Sequence, residues 1–168
     1  NAPAVPGQWL VVRREWKGGD CVSLAFGIRL TVDKWEKNGN SISVRRGPLY
    51  YSLRIGERWE RYGGTDEWPA YEVFPTTPWN YALVLNPDEP EKYLKVHRKS
   101  GPIAEQPFTL KTAPIEIVAE VRRVPDWKLE ENGLIGPVPA SPLTLKTPVE
   151  EVRLIPMGCA RLRVSAFP

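Results

Sequence analysis

A chain of 168 residues, 42% of them hydrophobic, can bury roughly 70% of the surface its unfolded form exposes, so one domain or two small ones can stand without staples. Eighteen prolines and 13 glycines exclude long helices without reaching the composition of a disordered chain. The net charge of +3 is the remainder of 23 basic and 20 acidic residues spread with no run of five like charges; it describes a solvated surface and not the cationic stripe of a nucleic-acid binder, and no apolar run approaches the ~18 residues of a membrane-spanning helix.

Asn1-Ala2 reads as the remnant of an expression tag. Trp9 to Trp16 is β-branched and aromatic, and beyond Lys17-Gly18-Gly19-Asp20 the residues Val22, Leu24, Phe26, Ile28, Leu30 and Val32 fall on one face. A period of two with a glycine pair between the runs predicts a hairpin. After a second turn at Lys37-Asn38-Gly39-Asn40 come two alternating runs that meet at Gly47-Pro48, with Ile42, Val44, Leu49, Tyr51 and Leu53 sharing a face and the serines and Arg45 on the other. The first fifty residues therefore predict a meander with one face built for a core.

From Ile55 to Pro78 aromatic and charged residues mix without a sustained period, which predicts a long ordered loop or short edge strands. Strands are expected at Trp79 to Leu85 and Tyr93 to Arg98, joined by a proline-rich turn. Pro102 and Pro107 flank a linker, and Ile115, Ile117, Ala119 and Val121 alternate against a mostly wet face of Glu116, Val118, Glu120 and Arg122. Pro125 to Pro148 reads as an irregular excursion, and Val152 to Val164 as two short strands broken at Pro156-Met157-Gly158. The fold class expected is all-β, an antiparallel β-sandwich.

Little in the sequence points to bond-breaking chemistry. His97, the only histidine, follows Leu94 and Val96 on the opposite strand face and reads as surface. Cys21 and Cys159 sit in apolar strand contexts that suit free buried thiols, and neither has the close spacing of a zinc site. Neighbouring acids such as Glu130-Glu131 would splay apart if extended. No catalytic residue, metal or cofactor is assigned. Seven tryptophans are the strongest positive signal, since each large ring carries enough apolar area to demand a partner. Trp9, Trp16 and Trp35 lie in expected strands and read as core, whereas Trp68, Tyr71, Trp79, Tyr81 and Trp127 lie in proline-rich segments, where packing, a docking face and a sugar-stacking platform are all open.

Arg46-Gly47-Pro48-Leu49-Tyr50-Tyr51 resembles the arginine-glycine-proline-leucine-valine-tyrosine strand of glycoside hydrolase family 127, the β-L-arabinofuranosidase-like enzymes. Arg13 to Asp20, Pro75 to Tyr81 and Leu154 to Arg163 are similar to further segments of that family in the same order, so the resemblance spans nearly the whole chain. It covers the region that follows the catalytic barrel. The resemblance implies that the catalytic glutamate and cysteine, with any metal-binding cysteines, belong to an upstream α/α barrel of the same polypeptide. This chain would then be a non-catalytic ancillary region that braces the barrel. It further implies one small sandwich inserted into another, with residues 8–50 plus 150–168 as the first unit and 51–149 as the second. Strands that precede Trp9 in such enzymes imply an open sheet edge here and an edge-mediated homodimer at high concentration. The parent would cleave arabinose-containing polysaccharide or glycoprotein glycan, with a secreted or periplasmic location favoured. The alternatives are an autonomous carbohydrate-binding module with Trp68, Trp79, Tyr81 and Trp127 as platform, and a structural or adhesive β-domain.

Overall fold

The computed structural model describes residues 3–168, so the expected tag remnant Asn1-Ala2 lies outside the described residues. The chain is all-β and antiparallel, with a sandwich-like arrangement of curled sheet and only two short 3₁₀ turns. Its strands are β1 (Leu30–Trp35), β2 (Ser41–Arg46), β3 (Leu49–Leu53), β4 (Glu57–Gly64), β5 (Pro69–Pro75), β6 (Tyr81–Leu83), β7 (Lys95–Arg98), β8 (Ile115–Arg123) and β9 (Val149–Pro156). Seven of them form one sheet in the order β1-β2-β3-β9-β8-β6, with β7 sharing the β8 edge, while β4 and β5 pair only with each other.

The core follows the alternation of the central strands. Leu154 of β9 is in register with Leu53 on one side and Ile117 on the other, and all three are fully or almost fully buried. Tyr51, Val44, Val121 and Phe167 join them in one contiguous cluster. Each such side chain contributes on the order of 1.5–3 kcal/mol by leaving water.

The Gly47-Pro48 break is a tight turn in which Gly47 adopts φ +57, a backbone open chiefly to glycine. Pairing between β2 and β3 lasts only from Arg45↔Tyr50 to Arg46↔Leu49, after which the strands part. The C-terminal segment enters the gap. Ile42 and Phe167 exchange backbone hydrogen bonds, and the Leu53 N–H donates to the Val164 carbonyl at 2.8 Å. Ser43 and Ser52, buried on the face away from Val44 and Leu53, donate their hydroxyls to the carbonyls of Ser165 and Val164 at 2.7 and 3.1 Å. A buried hydroxyl needs such a partner, and the returning chain supplies it.

Five expectations require correction, the first being that Val152 to Val164 holds two short strands: the strand ends at Pro156 and a 3₁₀ turn at Met157–Cys159 follows. The N-terminal hairpin is not formed: its turn is present, with the Asp20 N–H donating to the Lys17 carbonyl at 3.1 Å and the Lys17 N–H to the Asp20 carboxylate at 2.9 Å, but among the described residues no strand begins before Leu30. A period of two records what a segment is suited to pair with, and these residues find no ladder neighbour among the described residues. In consequence Trp9 and Trp16 are exposed and not core, and Trp35, at the end of β1, is exposed as well. Trp35 instead caps the β1–β2 ladder by donating its indole N–H to Ser43 Oγ at 2.8 Å. Cys21 is exposed while Cys159 is buried, and both are free. The second face of β8 is dry at its start, because Glu116 and Val118 are buried there. Glu116 is held by Arg153 at 2.7 Å and Lys99 at 3.7 Å, which makes its burial tolerable.

The ambiguous stretch from Ile55 to Pro78 is a hairpin of eight- and seven-residue strands, with a register shift between Arg61 and Gly63. Both its faces are largely exposed, so no apolar period marked it.

Candidate functional site

The β4–β5 hairpin stands apart from the main sheet and carries the densest group of exposed aromatic rings. Register fixes its two faces. Trp59↔Val73 and Arg61↔Tyr71 lie on one side, and Arg58↔Phe74 and Glu60↔Glu72 on the other. Trp59 and Tyr71 meet edge to face with ring centroids 5.7 Å apart, and the Trp59 indole N–H donates to Glu57 Oε2 at 3.2 Å. On the reverse side the Arg58 guanidinium lies 5.0 Å over the Phe74 ring and forms an ion pair with Glu60. That pairing offsets the repulsion of Glu60 and Glu72, which face each other across the ladder. Trp68 is 76% exposed at the hairpin end, where its backbone N–H donates to Thr65 Oγ1 at 3.0 Å. Gly64, at φ +77, turns the chain there, and any Cβ at that position would collide with the Trp68 carbonyl.

Beside β5 runs an apolar cleft of about 500 Å³. Phe74, Trp79, Leu134, Ile135 and Leu162 line it, with Glu72 and Arg163 as polar groups at its wall. Trp79 and Trp127 meet edge to face at 5.3 Å. Trp127 is only 3% exposed and donates its indole N–H to the Gly136 carbonyl at 3.0 Å, which ties the irregular 125–148 excursion to the core. Tyr81 is 4% exposed, donates its hydroxyl to Glu150 Oε2 at 2.9 Å and packs under the Arg123 guanidinium at 5.2 Å.

The five aromatic residues singled out in the sequence therefore divide. Trp68 and Tyr71 share the exposed hairpin, Trp79 lines the cleft, and Tyr81 and Trp127 turn their rings into the core. Trp59 and Tyr62 are exposed on the same hairpin and were not among the five. Their signal is the strand register, which is invisible until the hairpin is recognised. What the hairpin and cleft can do is present flat ring faces and planar hydrogen-bonding groups, a surface suited to stacking on sugar rings or packing against another domain.

Away from the hairpin, the Asp33 cluster is structural. On β1–β3, Asp33 accepts hydrogen bonds from Arg45 Nε at 2.9 Å and the Tyr50 hydroxyl at 2.6 Å. Those two bonds hold its carboxyl below the usual carboxylate range against the opposing effect of burial, and the Tyr50 hydroxyl is pushed up by the same contact. His97 is exposed on β7, opposite Glu116 in the ladder. Among the described residues no group of three or more His, Cys, Asp or Glu side chains could hold a metal ion. Comparison of the chain with protein-family models, curated proteins and solved structures finds no match.

Proposed function

We propose that this chain is a non-catalytic ancillary β-sandwich region of a glycoside hydrolase resembling the β-L-arabinofuranosidase-like family 127, and that it braces an α/α barrel of the same polypeptide and shapes the entrance to its cleft. One observation carries most weight. Residues 9–28 hold a strand-like apolar stripe of Val22, Leu24, Phe26 and Ile28, all exposed, and Trp9 of the same segment is 95% exposed. The stripe leads directly into β1, whose outer edge pairs with no other strand among the described residues. Large side chains at strand period contribute stability only when another surface covers them, and a barrel packed on this side would do so. The purified chain is expected to show no turnover of aryl arabinofuranosides; measurable hydrolysis overturns the reading. The open edge of β1 also makes pairing between two copies expected at high concentration, and light scattering that stays monomeric at millimolar protein removes that corollary.

An autonomous carbohydrate-binding module is the second reading, favoured by Trp59, Tyr62, Trp68 and Tyr71 on the exposed hairpin. Calorimetry against arabinan and arabino-oligosaccharides separates the two. Saturable heat lost in Trp59→Ala or Trp68→Ala assigns the module, and absence of heat favours the brace.

A further inference from the structure

A second cleft, of about 480 Å³, opens where β7 leaves the sheet. The row Leu53, Leu154 and Ile117 aligns the central strands. Two residues along each strand bring Tyr51, Pro156 and Ile115 to one end, where Arg98 lies opposite Ile115. Arg46 closes β2 at the same end. The lining includes four cations, Arg46, Arg98, Lys99 and Lys111, and no acidic residue. Lys99 is engaged, donating to the Lys111 carbonyl at 3.0 Å and standing 3.7 Å from Glu116. Arg46, Arg98 and the Lys111 ammonium have no carboxylate within ion-pair distance among the described residues.

Behind them lies an anomaly. Tyr51 is fully buried, yet among the described residues its hydroxyl makes no hydrogen bond of good geometry, a costly state for a polar group. Burial pushes this hydroxyl up, while the charges of Arg46 and Arg98, with a weak hydrogen bond from Arg46, pull it down. Like charges gathered without counter-charge repel one another, and an anion placed among them relieves that repulsion. Ser100 adds a hydroxyl to the lining, whereas that of Thr112 is engaged by the Gln106 carbonyl and Thr109, and Ile103, Pro114 and Ile115 add apolar wall that a ring could cover.

We propose that this cleft binds a small oxyanion carried on a compact organic body, a carboxylate or phosphate group of a sugar-sized ligand, with Arg46 and Arg98 offering planar paired donors and Lys111 a point charge. The inference does not rest on the glycosidase reading. It predicts a ligand even for a chain that only braces a neighbour.

Calorimetry on the full chain at low salt tests it, with inorganic phosphate, galacturonate and neutral galactose as probes. Saturable binding of phosphate or galacturonate in the millimolar range or tighter, with none for galactose, is expected. Arg98→Gln and Lys111→Gln should each weaken it by about tenfold, as should a rise in salt. Both residues are exposed, so the variants should fold, which circular dichroism verifies. Binding of phosphate alone assigns a phosphorylated ligand, and binding of galacturonate alone a uronate-like one. No saturable heat with either anion, or binding unchanged in the Arg98→Gln, Lys111→Gln double variant, overturns the proposal.

Discussion

Ile42 and Phe167 exchange both backbone hydrogen bonds, N–H to carbonyl at 2.8 Å one way and 2.9 Å the other, so the end of the chain is stitched into the strand that precedes the Gly47-Pro48 turn. Phe167 is also fully buried in the main core. Truncation to alanine removes the ring and leaves a cavity, so Phe167→Ala should cost about 3–5 kcal/mol. Trp68→Ala, at an exposed hairpin end, should stay within about 0.5 kcal/mol of the parent. Urea unfolding measures both. Equal midpoints for Phe167→Ala and the parent would show that the C-terminal segment is not part of the core.

Acid stability should depend on Asp33. Arg45 and Tyr50 lower its folded value, so its ionised form is favoured in the folded state relative to the unfolded chain. That stability is fully present above the unfolded carboxylate value of about 4 and is lost as pH falls through the lower folded value. Glu116 contributes in the same direction: burial raises it, but Arg153 and Lys99 prevail and hold it low. Stability of the parent should therefore fall below about pH 4, and Asp33→Asn should flatten that limb while lowering stability at neutral pH. An unchanged acid limb in the variant would show that the Arg45–Asp33–Tyr50 cluster is not coupled to folding.

The fold was legible where one face of a strand is buried. β2, β3, β8 and the Gly47-Pro48 turn follow from the alternation of Ile42, Val44, Tyr51, Leu53, Ile117, Ala119 and Val121, because burial on one side imposes a period of two. β4 and β5 were only half legible, as a long loop or short edge strands, because Trp59, Glu60, Arg61 and Tyr71 are wet on both faces, and the register shift after Arg61 breaks whatever alternation remained. The reverse failure lies at residues 9–28, where alternation is clear but pairing depends on a neighbour that the segment's own composition does not reveal. The aromatic site was half legible. Proline-rich context picked out Trp68, Tyr71 and Trp79, yet could not distinguish them from Tyr81 and Trp127, whose polar atoms find buried partners in Glu150 and Gly136 only once the chain is folded. The basic cleft had no sequence signal at all, since Arg46, Arg98 and Lys111 are far apart along the chain and meet only through the strand order.

The two thiols should report separately on the two ends of the molecule. Cys21 is exposed within the unpaired N-terminal stretch. Cys159 is buried in a small cluster with Ala113, Ile155 and Ala160, donates to the Pro107 carbonyl at 3.1 Å, and has its thiol pushed up by burial. Because the thiolate is the reacting species, burial slows Cys159 both by access and by protonation. A maleimide read by mass spectrometry should add one label to the native chain within the first time points, at Cys21, and a second only in denaturant. Two fast labels would mean that the turn at Met157–Cys159 opens in the native state. No fast label would mean that the segment around Cys21 is already covered in solution by another surface, such as a second copy paired through the open edge of β1.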